Sequence, residues 1–182
     1  MRLFQHRFQK LFAFPEWVLI HQAQKGNRDA FGKLYELYVE KIYRYIFFRV
    51  QQDKHTAEDI TEIVFLRAWE KLHLLQTGSF QAWIYTLARH AIVDHFRKHK
   101  NTVELHEQIA TDDEEEKIFR SLEMERVMEC MKLLTQEQQE ILTLKFINDL
   151  PNKEIAKILR KREDALRALQ YRALQSLREK LQ

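Results

Sequence analysis

Apolar residues recur at three- and four-residue spacing from Glu16 to about Lys100 and again from Ile118 to Leu181. That period predicts α-helices throughout. Ala30, Phe31, Leu34, Tyr35, Tyr38, Ile42, Tyr45 and Ile46 form one stripe that should be buried. After a polar break at Gln51–His55, Thr56 can cap a helix whose apolar face carries Ile60, Ile63, Val64, Leu66 and Trp69. Thr77-Gly78-Ser79 separates it from a helix through Trp83, Ile84, Leu87, Ala88, Ile92 and Phe96, finishing in the run His95 to Lys100. The acidic, polar stretch 101–117 lacks the period and reads as a flexible linker. A helix from Ile118 to Leu134 follows, then a capping box at Thr135 with Gln138 three residues on. Next come a helix to about Ile147 and a terminal helix pair.

Composition sharpens this into a fold class. Only three Gly and two Pro argue against a turn-rich β architecture, while twelve Phe, six Tyr and three Trp supply a real core. The expected fold is all-α, with two small helical domains joined by a flexible acidic linker. The boundaries are an N-terminal extension 1–15, a first domain 16–100, the linker 101–117 and a second domain 118–182. The single Cys130 excludes an internal disulfide and suits a reducing cytosol; it reads as a small buried residue near Met128 and Met131. The first fourteen residues are basic and aromatic but lack a clean apolar core and a cleavage site, so they make a poor signal peptide. No apolar run has the length of a membrane span, so membrane insertion is not expected.

Charge divides the chain. Residues 104–125 carry nine acids against two bases, whereas 153–180 carry nine bases against four acids. The basic end coincides with Pro151–Leu159, the turn Arg160-Lys161-Arg162, and a longer helix from Glu163, a helix-turn-helix over about 152–172. Leu166, Leu169, Ala173 and Leu177 form the inward stripe of that last helix. Arg167, Ala168, Gln170, Tyr171 and Arg172 lie outside or flank it, with Lys153, Lys161 and Arg162 placed for phosphates. Arg can read guanine and Gln adenine in the major groove.

Three motifs now converge. Ala57 through Trp69, Phe80 through Arg89 running into Asp94-His95-Phe96-Arg97-Lys98, and Leu133 through Leu181 stand in order and at set spacing. Together they resemble the extracytoplasmic-function sigma factors of the sigma-70 family, whose members direct bacterial RNA polymerase to promoters. The resemblance implies a region 2 domain followed by a region 4 domain, in a cytoplasmic initiation subunit with no catalytic residues, metal or cofactor. Its partners would be promoter DNA and core polymerase, through the β′ clamp helices and the β flap. An anti-sigma factor is a further possible partner.

The resemblance also assigns residues. Glu58, Asp59, Glu62, Phe65 and Trp69 would form the polymerase-binding helix, although an acidic solvated edge explains its charges equally well. Phe80, Trp83, Tyr85, Arg89, His90, Arg97 and Lys98 would recognise and melt the −10 element, by aromatic stacking and a basic path for the backbone. Trp83 shares a face with Leu87 and Ala91, which leaves a core role open, whereas Phe80 sits beside the Gly78 loop. The helix-turn-helix would read the −35 element. Arg160 stands where the family usually has the glycine of the turn, Arg162 and Asp164 replace small residues, and His90 replaces Asn. The −35 preference should therefore differ from that of relatives.

Two other classes compete. A free-standing helix-turn-helix regulator would leave the Glu58–Trp69 helix and the aromatic segment around Trp83 unexplained. A metal-dependent nuclease could use His95 and His99, four apart, with Asp94, but lacks an adjacent glutamate base and a third converging ligand.

Overall fold

The computed structural model describes residues 15–75, 78–99 and 122–182. Capping side chains set the first elements. Helix α1 spans Glu16–Gln24. The Asn27 side chain then accepts a bond from the Ala30 amide and starts α2, Arg28–Arg49. Helix α3, Lys54–Lys71, is capped by Asp53, not by Thr56 as the sequence suggested: Asp53 Oδ1 accepts from the Thr56 amide at 3.2 Å and Oδ2 from its hydroxyl at 2.6 Å. Thr56 is thus the third helical residue and the cap's donor. A 3₁₀ turn at Leu72–Leu74 follows, and Gln24 clamps it to α1 by donating to the carbonyls of Leu72 and Leu75. Helix α4 spans Phe80–His99, with the Ser79 hydroxyl accepting from the Ala82 amide.

The second group begins with α5, Leu122–Lys132. Helix α6, Gln136–Leu142, opens on the expected capping box, with Thr135 and Gln138 exchanging side-chain and backbone bonds. It widens into a π-helical turn, Thr143–Ile147. Helix α7, Asn152–Leu159, and α8, Glu163–Leu181, complete the chain. Arg160 adopts the left-handed conformation between them, φ 52° and ψ 44°, and the Lys161 amide closes the turn on the Ala156 carbonyl. The turn thus keeps the shape a glycine would give it, at a cost of about 1–2 kcal/mol in backbone strain.

The two groups do not hang apart. Leu34, Ile42, Ile46, Ile84 and Ile92 from the first, and Ile141, Leu144, Ile155 and Ile158 from the second, belong to one continuous buried cluster. Each such side chain contributes roughly 1.5–3 kcal/mol when fully buried. The expected pair of helical domains is present, and the two pack against each other: α4 packs along α7, and α2 along the π turn. Residues 101–117, read as the linker, lie outside the described residues, as do 1–14.

The stripes are also wider than expected. Phe31 is only half-buried, and Tyr35 and Leu66 are exposed, because α2 and α3 carry a second apolar face beside the core one; Ile63 is exposed as well. Cys130 and Met128 are buried as expected, with the Cys130 Sγ against the Lys180 carbonyl at 3.2 Å. No described helix is long and apolar enough to cross a membrane.

Candidate nucleic-acid and polymerase interfaces

The second face of α2 and α3 forms a groove of about 690 Å³. Phe31, Tyr35, Val39 and Tyr43 descend one side of α2 at four-residue spacing, and Phe65, Leu66 and Trp69 face them from α3. Edge-to-face pairs fix the floor: Phe31 on Trp69 at 5.0 Å and Tyr35 on Phe65 at 4.7 Å between ring centroids. Glu40, Glu58 and Glu62 line the rim, whereas Asp59 is exposed outside the groove. An apolar trough with an acidic edge suits a helical partner that carries basic flanks. The sequence reading named Phe65, Trp69 and the acids but missed Tyr35, Val39, Tyr43 and Leu66. A signal existed: Phe65 and Leu66 are adjacent, and adjacent helical residues point about 100° apart, so both cannot enter one core.

Helix α8 presents the opposite chemistry. Leu166, Leu169 and Ala173 are buried, while Arg167, Ala168, Tyr171 and Arg172 are exposed, Tyr171 at 70%. Lys153 is exposed at the start of α7. Gln170 is not free as expected; it donates to Asn152 Oδ1 at 3.1 Å and braces α8 on α7. Lys161 pairs with Glu137 at 2.8 Å, which fastens the basic turn to α6. Arg162 pairs with Asp164 at 3.1 Å, but both are largely exposed and such a contact contributes little.

The third candidate surface, on α4, is the one the structure changes most. Phe80 is 1% exposed, packed edge-on against Tyr38 at 5.1 Å, and Trp83 leans on it at 5.6 Å. The sequence placed Phe80 free beside the Gly78 loop; here it is core, because the cavity under Tyr38 takes it. Tyr85 is fully buried edge-on to Tyr45, and burial pushes its hydroxyl up to about 12, against the lowering effect of the bond from Asn148 and of Arg44. Arg89 donates through Nε to Glu140 Oε1 at 3.0 Å, and the Tyr45 hydroxyl donates to the same oxygen at 2.9 Å. Burial is also the main reason the Tyr45 hydroxyl is held well above its ordinary value. Only His90, Arg97 and Lys98 of the expected set are exposed. Asp94 lies between Arg67 and Arg97, each at 3.3 Å, so its charge is already met. Among the described residues no group of three or more His, Cys, Asp or Glu could hold a metal ion.

Residues 34–102 match the family model for Sigma-70 region 2, and residues 124–177 match that for Sigma-70, region 4. The chain is 36% identical over 167 residues to the ECF RNA polymerase sigma factor BldN of Streptomyces coelicolor, an alignment covering 87% of this chain and 63% of BldN. Among solved structures, CnrH in complex with the cytosolic domain of CnrY superposes with a TM-score of 0.70 at 22% identity, covering 89% of this chain and 94% of that one. The sigma factor RpoE in complex with the anti-sigma factor NepR, from Bartonella quintana, gives 0.68 at 20%, covering 83% and 96%. At such identities these two likenesses concern the fold. The chain belongs to the sigma-70 family of RNA polymerase sigma factors, in its extracytoplasmic-function group.

Proposed function

We propose that this chain is a non-catalytic initiation subunit, working in the cytoplasm, that binds core RNA polymerase and directs it to promoters. The observation that carries the reading is the pairing, in one chain, of the acid-rimmed aromatic groove on α2 and α3 with the exposed basic face of α8. A free-standing regulator needs the second surface and has no use for the first. In this reading residues 16–100 bind polymerase and the −10 element, and 118–182 read the −35 element. Segment 101–117 connects them, and 1–15 is an extension.

The roles follow from the chemistry. Glu58, Glu62, Phe65 and Trp69, with Tyr35 and Leu66 added, receive the β′ clamp helices of polymerase. Arg167, Ala168, Tyr171 and Arg172 enter the major groove of the −35 element. Lys153, Lys161 and Arg162 contact phosphate, and the β flap meets the same C-terminal domain. On α4, Trp83, Arg89, His90, Arg97 and Lys98 hold the opened −10 strand by stacking and charge. An anti-sigma factor, of the kind with which RpoE was solved, belongs to the same proposal as a protein partner.

Run-off transcription with core polymerase on a genomic promoter library tests this reading. Promoter-specific transcripts that appear only when the chain is added, and that fall when Leu66→Ala weakens the exposed wall of the groove, are the expected result. Tight duplex binding without any such transcription would mean a free-standing regulator.

A further inference from the structure

Helices α2, α3, α4 and α6 each open on a side chain that accepts one of their first free amides, from Asn27, Asp53, Ser79 and Thr135. Helix α8 does not. It starts on Arg162, extended at φ −73° and ψ 152°, whose side chain makes no capping bond. We propose that Arg162 and Asp164 form a two-residue base reader, in which Asp164 holds the Arg162 guanidinium for the major-groove edge of a guanine in the −35 element. The inference rests on the reading of α8 as the −35 recognition helix and deepens it.

Folding gives no reason for an arginine at this position. Its side chain has only donors, so it cannot accept from the amides left free at a helix start. Its charge also meets the positive end of the helix dipole, where Ser, Thr, Asp or Asn is favoured. Arg162 Nη2 pairs with Asp164 Oδ2 at 3.1 Å, but the side chains stay 87% and 68% exposed, so solvent screens the pair and it adds little to stability. Asp164 supplies the missing acceptor, its Oδ1 taking the Ala165 amide at 3.0 Å. That bond fixes the carboxylate on the first turn of α8, and the carboxylate in turn fixes the guanidinium. A side chain that weakens its own helix, yet is held in place by its neighbour, serves a contact outside the chain.

The pairing decides between phosphate and base. A lone arginine here would take the nearest phosphate, because the DNA backbone attracts any free cation. Beside a carboxylate the pair carries no net charge, and the carboxylate itself repels phosphate. What remains is shape. The guanidinium holds five N–H donors in one plane, and the single Nη2 contact to Asp164 leaves donors for two parallel bonds. Guanine presents two acceptors, O6 and N7, side by side in the major groove, whereas adenine sets an amino donor beside its N7. A guanidinium oriented before binding also loses less freedom on docking. Lys161, the preceding base in the turn, is drawn back to Glu137 on α6 at 2.8 Å and does not share the arrangement.

The test uses the full chain assembled with core RNA polymerase, duplexes carrying a randomised segment, and sequencing of the bound fraction over a range of salt. The parent should enrich guanine at one position by roughly 5- to 150-fold. Arg162→Ser installs a favourable cap, so the helix is kept. It should abolish the enrichment at that position alone and leave the salt dependence unchanged. Arg162→Lys should not restore it, because an ammonium lacks the planar fork. Asp164→Ala frees the guanidinium: guanine enrichment should fall about tenfold while binding gains about one ion of salt dependence. Equal weakening of every sequence by Arg162→Ser, with the salt slope lower by about one ion, would make Arg162 a phosphate contact and overturn the base reader. No effect of Arg162→Ser would overturn it as well. Enrichment that survives Asp164→Ala would overturn the part given to Asp164. A parent that enriches no sequence, with Arg167→Ala costing nothing, would instead remove the reading of α8 and the proposal with it.

Discussion

Helices α4 and α8 both carry arginine and aromatic residues suited to nucleic acid, yet they meet solvent differently. On α8 Arg167, Tyr171 and Arg172 stand in water, braced from behind by Gln170 on Asn152. On α4 Phe80 and Tyr85 are buried and Arg89 is held by Glu140. Under the function proposed above, the difference follows from the task. A helix that reads duplex DNA needs only a rigid exposed face, because the groove comes to it. A face that holds unstacked bases must be aromatic and partly apolar, and such a face left bare in water invites another surface to cover it. In this chain α2 covers Phe80 and Tyr85 through Tyr38 and Tyr45, and the second domain adds Asn148 on the Tyr85 hydroxyl and Glu140 on Arg89.

The largest test of this contrast is Tyr85→Ala. If α4 is covered as described, losing a fully buried ring and its bond from Asn148 should lower stability by about 3–5 kcal/mol in urea melts. A loss below about 1 kcal/mol would mean the face is open in solution and the contrast with α8 disappears. The corresponding change on the open side is Arg167→Ala. It should leave the urea midpoint unmoved but weaken binding to a −35 duplex by about 1–3 kcal/mol, roughly 5- to 150-fold, in a fluorescence titration. Destabilisation there would show that α8 also has a covered face. The smallest effect belongs to the turn between α7 and α8. Arg160→Gly relieves a left-handed non-glycine residue and should raise stability by about 0.5–1 kcal/mol, or Tm by about 1–4 °C. If Arg160 touches phosphate, the salt dependence of duplex binding falls by about one ion in the same variant.

Much of this molecule could be read before any coordinates. The helical period, the capping box at Thr135 and Gln138, the inward stripe of α8 and the buried Cys130 all follow from local rules, because each depends on residues within a turn or two. The cap of α3 was misplaced by three residues, since Asp53 and Thr56 can each serve and only backbone geometry chooses between them. The groove on α2 and α3 was half legible: its acids and two of its aromatics stood in a recognisable motif, but the α2 wall looked like core. Periodicity reports that a residue is apolar, not which of two apolar surfaces it faces.

Sequence alone determined an all-helical chain with an acidic middle and a basic helix-turn-helix end, and it carried the motifs that place the chain in its family. Those properties are set by spacing and charge along the chain. Only the tertiary structure decided that the two groups share one core, that Glu140 lies between Arg89 and Tyr45, and that Phe80 and Tyr85 are covered. Glu140 is separated from Arg89 by 51 positions and from Tyr45 by 95, and no local pattern encodes a contact at that range. Such contacts arise when two incomplete apolar faces find each other, and that choice belongs to the folded molecule.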